Sequence, residues 1–160
     1  MPQLIGSLLI FLACSAAGFS GAAMYKAQKD ELEAFLRLIS HIKARIEYCR
    51  APLDSIFAEY TDRLLERCGF IEAALTMRPT DALAKCRSRL SLSDAQIDEL
   101  MKFFSDPGCH TAAEESAHCA YWEKRVGELL DAARRELPRV TRLYRGIGIL
   151  VGIMAAILLL

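Results

Sequence analysis

Charged side chains are confined to the middle of this chain. All forty Lys, Arg, Asp and Glu residues lie between Lys26 and Arg145, so both ends are uncharged. Residues 4–24 are apolar or small throughout, and as a helix they would extend roughly 30 Å, the thickness of a hydrocarbon core. Residues 146–160 would extend only roughly 22 Å. We therefore predict a transmembrane helix at residues 1–25, a helical domain at 26–145, and a shorter transmembrane helix at 146–160.

Basic residues at the inner edges of these segments predict their orientation. Lys26 and Lys29 follow the first segment, and Arg139, Arg142 and Arg145 precede the second, whereas neither outer tail contains Lys or Arg. The positive-inside rule therefore places the middle domain in the cytoplasm, where its cysteines stay reduced. The first segment has no basic region before it and is longer than a signal-peptide core, so we expect it to be retained. The second crosses if the bilayer thins or if the last two arginines extend to the interface.

The spacing of apolar residues predicts helices along the whole middle of the chain. No Pro interrupts residues 3–50, so we expect the first anchor to continue as one helix until Pro52 ends it. The predicted buried stripe of this helix is Leu32, Phe35, Leu36, Ile39, Ile42, Lys43 and Ile46. A second helix, from Pro52 to Gly69, would bury Leu53, Ile56, Phe57, Tyr60 and Leu64.

Four further helices complete an all-α prediction. Short helices are expected at residues 70–77 and 80–90, the latter with Ala82, Leu83, Cys86 and Leu90 inward. Capping boxes at Ser93–Gln96 and Thr111–Glu114 open the last two. Their predicted stripes are Ile97, Leu100, Met101 and Phe104 in one, and Ala117, Tyr121, Val126, Leu129, Leu130, Ala133 and Leu137 in the other, which Pro138 should kink. Since no stretch alternates with period two, we predict a small helical bundle whose first and last helices pair antiparallel.

The sequence contains no pattern that predicts catalysis. It has no Gly-rich phosphate loop, no G-x-S-x-G and no C-x-x-C. Cys109-His110 and His118-Cys119 contain the residue types that zinc prefers, but neighbours on a helix point in different directions. We therefore expect no metal, no cofactor and no enzymatic activity, with His41 at the domain surface. Equal numbers of acidic and basic residues also argue against a nucleic-acid partner.

Small residues recur four positions apart in both predicted anchors. They are Cys14, Gly18 and Ala22 in the first, and Gly148 and Gly152 in the second. In lipid, such spacing lets helix backbones approach closely, although glycine is also simply common in membrane helices. The pattern favours packing of the anchors against each other or against helices of partner proteins.

The segment Ile46–Leu53 resembles the I-E-Y-x-x-x-P-L segment of the stage III sporulation protein AB family. Its matching residues include Glu47, Tyr48, Pro52 and Leu53, and Glu47 with Tyr48 could equally tie the first two helices together. Further matches follow in order along nearly the whole chain: Gly18, Phe19, Tyr25, the segment Leu90–Ser93, Leu100, Phe104, Gly108, Arg142, Leu143, Tyr144, Arg145, Gly148 and Gly152. The chain departs from the family pattern around Gly108, where Pro107 replaces the usual Leu, and Thr111 and Glu115 replace an Asp and a Gln.

The resemblance implies a non-enzymatic platform or assembly subunit of a transenvelope complex between mother cell and forespore, required for late forespore development. The family's domain is similar to the cytoplasmic domain of type II secretion F-type platform proteins. The implied location is the mother-cell membrane facing the forespore. Implied partners are a cytoplasmic secretion-type ATPase, other membrane subunits of the complex and the lipid bilayer. A membrane-bound sensor or signal transducer is the alternative, since a helix continuous from lipid into a bundle can transmit movement.

Overall fold

The chain is described by a computed structural model that covers the backbone of residues 2–49, 52–105 and 111–158. Side chains within α1 and α7 are described except at 2–12, 14, 15, 17, 18, 112, 155, 156 and 158. Within this part, all regular elements are helical, which confirms the all-α prediction. The α-helices are α1 (Pro2–Cys49), α2 (Leu53–Glu59), α3 (Arg63–Arg67), α4 (Phe70–Ala74), α5 (Pro79–Cys86), α6 (Asp94–Ser105) and α7 (Ala112–Leu158), and a 3₁₀ turn (Arg87–Arg89) follows α5.

The two long helices contribute to two compact units. Unit 1 consists of Met1–Ala27 and Ala132–Leu160, and unit 2 consists of Gln28–Asp131. Unit 1 is therefore made of two segments, one from α1 and one from α7, whereas unit 2 also contains the five short helices. Among the residues that the structure describes, no helix combines the length and the apolar character that crossing a membrane requires.

Helix α1 is continuous, as the absence of Pro predicted. Five members of its predicted stripe are buried, namely Leu32, Phe35, Ile39, Ile42 and Ile46. Leu36 and Lys43 are only half-buried, and Ala34 and Leu38 are buried although they were not predicted. The buried face of α1 is therefore wider than one stripe, because short helices and α7 pack around it within unit 2.

The second predicted helix is wrong in its length. Helix α2 ends at Glu59, and Tyr60 is extended. Asp62 then caps α3, with its carboxylate accepting from the Leu64 amide at 2.9 Å. Gly69, predicted as a helix end, follows the C-terminus of α3 with φ of 81°, a left-handed conformation that suits glycine.

Both predicted capping boxes are confirmed. The Ser93 amide donates to the Gln96 side chain at 3.0 Å, and the Gln96 amide donates to the Ser93 hydroxyl at 3.4 Å. The Thr111 amide donates to the Glu114 carboxylate at 2.8 Å, and the Glu114 amide donates to the Thr111 hydroxyl at 3.4 Å. These reciprocal bonds satisfy backbone donors at the first turns of α6 and α7.

The core of unit 2 is a connected set of aromatic rings. Phe70 lies at its centre, with ring centroids 5.3 Å from Phe35 and 5.5 Å from Phe104. Phe104 contacts Phe103 at 4.8 Å, and Phe103 contacts Trp122 on α7 at 6.3 Å. Edge-to-face and tilted pairs of this kind add to the free energy gained from burial alone.

The predicted inward stripe of α7 is wrong at its start. Ala117 is exposed and Tyr121 is 62% exposed, whereas the neighbouring Trp122 is buried. The buried positions in this half of the helix are Glu115, Cys119, Trp122, Val126 and Leu130. The ring contacts of Trp122 with Phe103 and His118 explain why it, and not Tyr121, faces the core. Helix α7 then continues through Pro138 without a break.

Candidate functional site at the pairing of the two long helices

Within the described part of unit 1, α1 and α7 approach each other closely at Gly21. A Cβ atom at Gly21 would lie 2.5 Å from Cδ1 of Tyr144, so the missing side chain is what makes room for the tyrosine ring. The same ring lies 5.8 Å from that of Tyr25, one turn further along α1. Gly21 was not among the small residues singled out from the sequence. What distinguishes Gly21 is its contact with the Tyr144 ring, and the spacing of small residues along the sequence does not predict that contact.

Arg145, the residue after Tyr144, contacts α1 two residues before Gly21. Its guanidinium carbon lies 5.3 Å from the centroid of the Phe19 ring, a cation–π distance. From Phe19 to Gly21 the residue number on α1 rises, whereas the residue contacted on α7 falls from Arg145 to Tyr144. The two helices therefore run in opposite directions. This register confirms the predicted antiparallel pairing of the first and last helices within unit 1.

Three of the small residues predicted at the anchor interface are buried in unit 1. They are Ala22 on α1 and Gly148 and Gly152 on α7. The side chains of Cys14 and Gly18 lie outside the described residues. Gly146, in contrast, has open space where a Cβ atom would stand. Gly148 and Gly152 are buried, whereas Gly146, two residues before the first of them, has room for a side chain. Small residues are therefore placed at particular positions of α7.

The two helices are also joined by polar side chains within unit 2. Glu123 on α7 accepts from the Ser40 hydroxyl at 2.6 Å and from the Lys43 ammonium at 3.1 Å. The Ser40 hydrogen bond, aided by Lys43 and opposed by partial burial, holds the pKa of Glu123 below its ordinary value. This contact explains why Lys43 was the one polar member of the predicted stripe on α1.

The motif Glu47–Leu53 surrounds the end of α1. Glu47 accepts a hydrogen bond from the Ser116 hydroxyl, so this described contact joins α1 to α7. Tyr48 is 85% exposed and is therefore available to a partner. Pro52 is the N-cap of α2 and not its first helical residue, and its carbonyl accepts from the Ser55 amide at 3.1 Å. Leu53 is half-buried beside a small cavity.

A buried carboxylate that the sequence did not indicate ties α1 to the segment before α6. Glu31 is 6% exposed and accepts from the Ser91 amide at 2.7 Å. Burial raises the pKa of Glu31, and the hydrogen bonds from Ser91 oppose this effect. Glu31 is a charged residue next to the apolar Leu32, and the apolar pattern of the sequence does not predict that it is buried. Its position follows from the backbone donor that it satisfies.

The described residues do not form a metal-binding cluster. Within them, no group of three His, Cys, Asp or Glu side chains could hold a metal ion. His118 stacks on Phe103 with ring centroids 5.6 Å apart, and Cys119 is buried beside it. Cys109, His110 and the predicted family residue Gly108 lie outside the described residues. His41 is half-buried against Tyr60, with ring centroids 5.0 Å apart, so it lies only partly at the domain surface.

Arg142, another residue of the predicted family motif, lines an open groove on α7. The groove has a volume of about 460 Å³, and its other lining residues are Leu137, Pro138, Thr141 and Arg145. Arg142 is exposed there, whereas Tyr144 turns towards α1. The family motif R-L-Y-R therefore supplies an outward basic residue and an inward ring from opposite sides of a single helical turn.

Comparison with known families agrees with this whole-chain pattern of motifs. The family model described as stage III sporulation protein AB matches residues 3–160. The chain belongs to the stage III sporulation protein AB family. It is therefore a sporulation-related helical protein, and the resemblance carried by the Glu47–Leu53 segment is confirmed. No curated protein and no solved structure shows a significant match to this chain.

Proposed function

We propose that this chain is a non-enzymatic platform subunit of the complex between mother cell and forespore. The observation that supports the proposal best is the antiparallel pairing of α1 and α7 at Gly21 and Tyr144. Both helices are unbroken from this pair into unit 2, so the uncharged ends and the charged bundle share two continuous elements. A subunit of this design holds a domain beside a membrane without needing any chemistry of its own.

The membrane location is part of the proposal. The uncharged segments 1–25 and 146–160 are the predicted anchors, and the basic residues that flank them support a cytoplasmic middle domain. The register in unit 1 brings the start of the second segment, Gly146, to the level of Phe19, inside the end of the first segment. Arg142 and Arg145 therefore lie beside the last turns of the longer anchor. Extension of these two side chains to the interface would allow the shorter segment to cross.

The proposed partners are the secretion-type ATPase and the other membrane subunits that the family resemblance implies. Likeness of unit 2 to the cytoplasmic domain of F-type platform proteins belongs to the same proposal. The exposed Tyr48, in the family motif at the end of α1, is the residue we propose to meet such a partner. An aromatic side chain that is exposed in the free subunit is typical of interface contacts that contribute much of the binding free energy.

Deletion and complementation test the function in cells. Deleting the gene should block sporulation after engulfment. The wild-type gene and a Gly146→Ala variant should restore spores, because a Cβ atom at Gly146 meets no other atom within 4 Å. A Gly21→Leu variant should fail, since its side chain collides with Tyr144. Normal spore yield after deletion would refute the proposal.

A membrane-bound sensor or transducer is the second candidate function, favoured by the continuity of α1 from the uncharged end into unit 2. Co-purification of the full-length chain from sporulating cells separates the two candidates. A platform subunit should retain an ATPase and other membrane subunits, and Tyr48→Ala should reduce that recovery more than a Tyr121→Ala control, which alters another exposed tyrosine. Recovery of a kinase or regulator instead would favour the sensor.

A further inference from the structure

Charge is divided unevenly between the two units. Unit 1 contains six basic residues and one acidic residue, whereas unit 2 contains fourteen basic and nineteen acidic residues. The equal totals of the whole chain hide this separation. The basic residues of unit 1 are Lys26, Arg134, Arg135, Arg139, Arg142 and Arg145.

Three of the arginines follow one face of α7. Arg135, Arg139 and Arg142 are spaced by four and three residues, and all three are exposed. Arg139 and Arg142 form no ion pair with any residue that the structure describes. Two guanidinium groups on one face are therefore free to bind an anion.

The groove beside this face offers both polar and apolar contacts. Arg142 and Arg145 line it together with the Thr141 hydroxyl, and Leu137 and Pro138 supply apolar surface. Pro138 has no backbone N–H, so the carbonyl one turn before it lacks its helical donor. A phosphate with attached carbon chains matches this arrangement, since guanidinium binds phosphate through paired hydrogen bonds.

The level of the groove along the helices identifies the source of that phosphate. Tyr144 and Arg145 pair with Gly21 and Phe19, so the groove begins beside the end of the first uncharged segment. If the two segments are the anchors proposed above, this is the depth of lipid headgroups. We propose that the groove at Pro138–Arg145, with the adjacent Arg139, binds the headgroup of an anionic phospholipid. The inference rests on the proposed membrane location.

Bound lipid on the full-length protein tests the assignment. Protein reconstituted in vesicles of mixed phosphatidylglycerol and phosphatidylcholine is re-extracted, and the lipids that remain bound are counted by native mass spectrometry. The wild type should retain phosphatidylglycerol in preference to phosphatidylcholine. Arg139→Gln combined with Arg142→Gln should lower this preference on the order of tenfold, since each basic residue near an anionic surface contributes to binding. Inorganic phosphate at millimolar concentration should not displace the lipid.

The matched control removes two exposed basic residues of unit 2, through Arg63→Gln and Lys124→Gln. This variant should keep the wild-type preference. An unchanged preference after loss of Arg139 and Arg142, an equal loss in the control, or displacement by inorganic phosphate would each overturn the lipid site. Carbonate extraction of the same membranes separates this result from the proposed function. Protein that leaves the membrane contradicts both proposals, whereas embedded protein without lipid preference contradicts only this one.

Discussion

The ring of Tyr144 lies where the side chain of residue 21 would be if that residue were not glycine. Cδ1 and Cε1 of the ring are 2.5 and 2.7 Å from the position of a Cβ atom at Gly21. Both contacts are shorter than carbon atoms tolerate, so any larger residue must displace the ring or separate the helices. Tyr144 belongs to the family motif, and its pairing with Gly21 gives that motif a structural role.

Gly21→Ala should therefore weaken the pairing of α1 and α7. We expect a loss of about 1–3 kcal/mol, the usual cost of forcing an extra methyl group into a packed contact. The measurement is the thermal unfolding midpoint of the full-length protein in detergent. Gly146→Ala is the control, and it should leave stability unchanged or raise it by up to about 1 kcal/mol, because alanine suits a helix better than glycine. Equal effects of the two substitutions would contradict the contact.

Asp62→Ala should destabilise unit 2. The carboxylate caps α3 and accepts from the Arg37 guanidinium at 2.7 Å, so removing it costs about 1–2 kcal/mol in unfolding free energy. Arg37→Gln keeps the cap and should cost less, about 0–1 kcal/mol, since the Arg37 side chain is 51% exposed. Chemical denaturation of the three proteins at neutral pH measures the difference. A larger loss in the arginine variant would contradict the importance of the cap.

The same carboxylate predicts a loss of stability in acid. Burial raises the pKa of Asp62, but Arg37 and the Leu64 and Leu65 amides outweigh it, so the pKa in the folded protein is lowered. The contribution of Asp62 to folding stability is complete above its ordinary pKa of 3.8, and it is lost as pH falls through the lowered pKa. Denaturation midpoints measured from pH 5 downward should fall more steeply for the wild type than for Asp62→Ala. Parallel curves would contradict this assignment.

Glu31 predicts the opposite dependence on pH. Burial raises the pKa of Glu31, despite the opposing hydrogen bonds from Ser91, so the folded protein binds the proton more tightly than the unfolded chain. Its contribution to stability is complete below the ordinary value of 4.5 and is lost as pH rises through the raised pKa. Glu31→Gln should remove this dependence and be at least as stable as the wild type at pH 7. Glu31→Ala should be less stable by about 1–3 kcal/mol, because the Ser91 amide loses its acceptor.

Thiol reactivity should separate exposed from buried cysteines. Burial, together with the nearby Glu115, raises the pKa of Cys119 to about 11, so it carries almost no thiolate at pH 8. Cys49 is exposed and should react quickly. Peptide mass spectrometry after brief alkylation of the native protein should find Cys49 modified and Cys119 unmodified, and denaturant should expose both. Rapid modification of native Cys119 would contradict its burial.

The sequence was sufficient wherever short-range chemistry determines the structure. The continuity of α1 follows from the absence of Pro, and the capping boxes at Ser93 and Thr111 follow from side chains that reach their own backbone. The antiparallel pairing of α1 and α7 was also predicted, from the uncharged segments at the two ends.

The sequence-based predictions were wrong where contacts between residues distant in sequence determine the structure. Tyr121 and Trp122 are adjacent and both aromatic, so the apolar pattern could not determine which one faces inward. The ring of Phe103 on α6 determines it. The break between α2 and α3 similarly depends on Asp62, whose cap is reinforced by Arg37 on α1. The pairing of Gly21 with Tyr144 joins residues at opposite ends of the chain, and no local pattern marks it.

The proposed platform function requires that the charged domain faces the cytoplasm, and labelling of Cys49 tests this orientation. Intact cells that produce the full-length protein are treated with a membrane-impermeant maleimide, beside permeabilised cells and a Cys49→Ser control that identifies the signal. A cytoplasmic domain predicts no label on Cys49 in intact cells and strong labelling after permeabilisation, because this thiol is exposed. Labelling of Cys49 in intact cells would contradict the cytoplasmic orientation and, with it, the platform function.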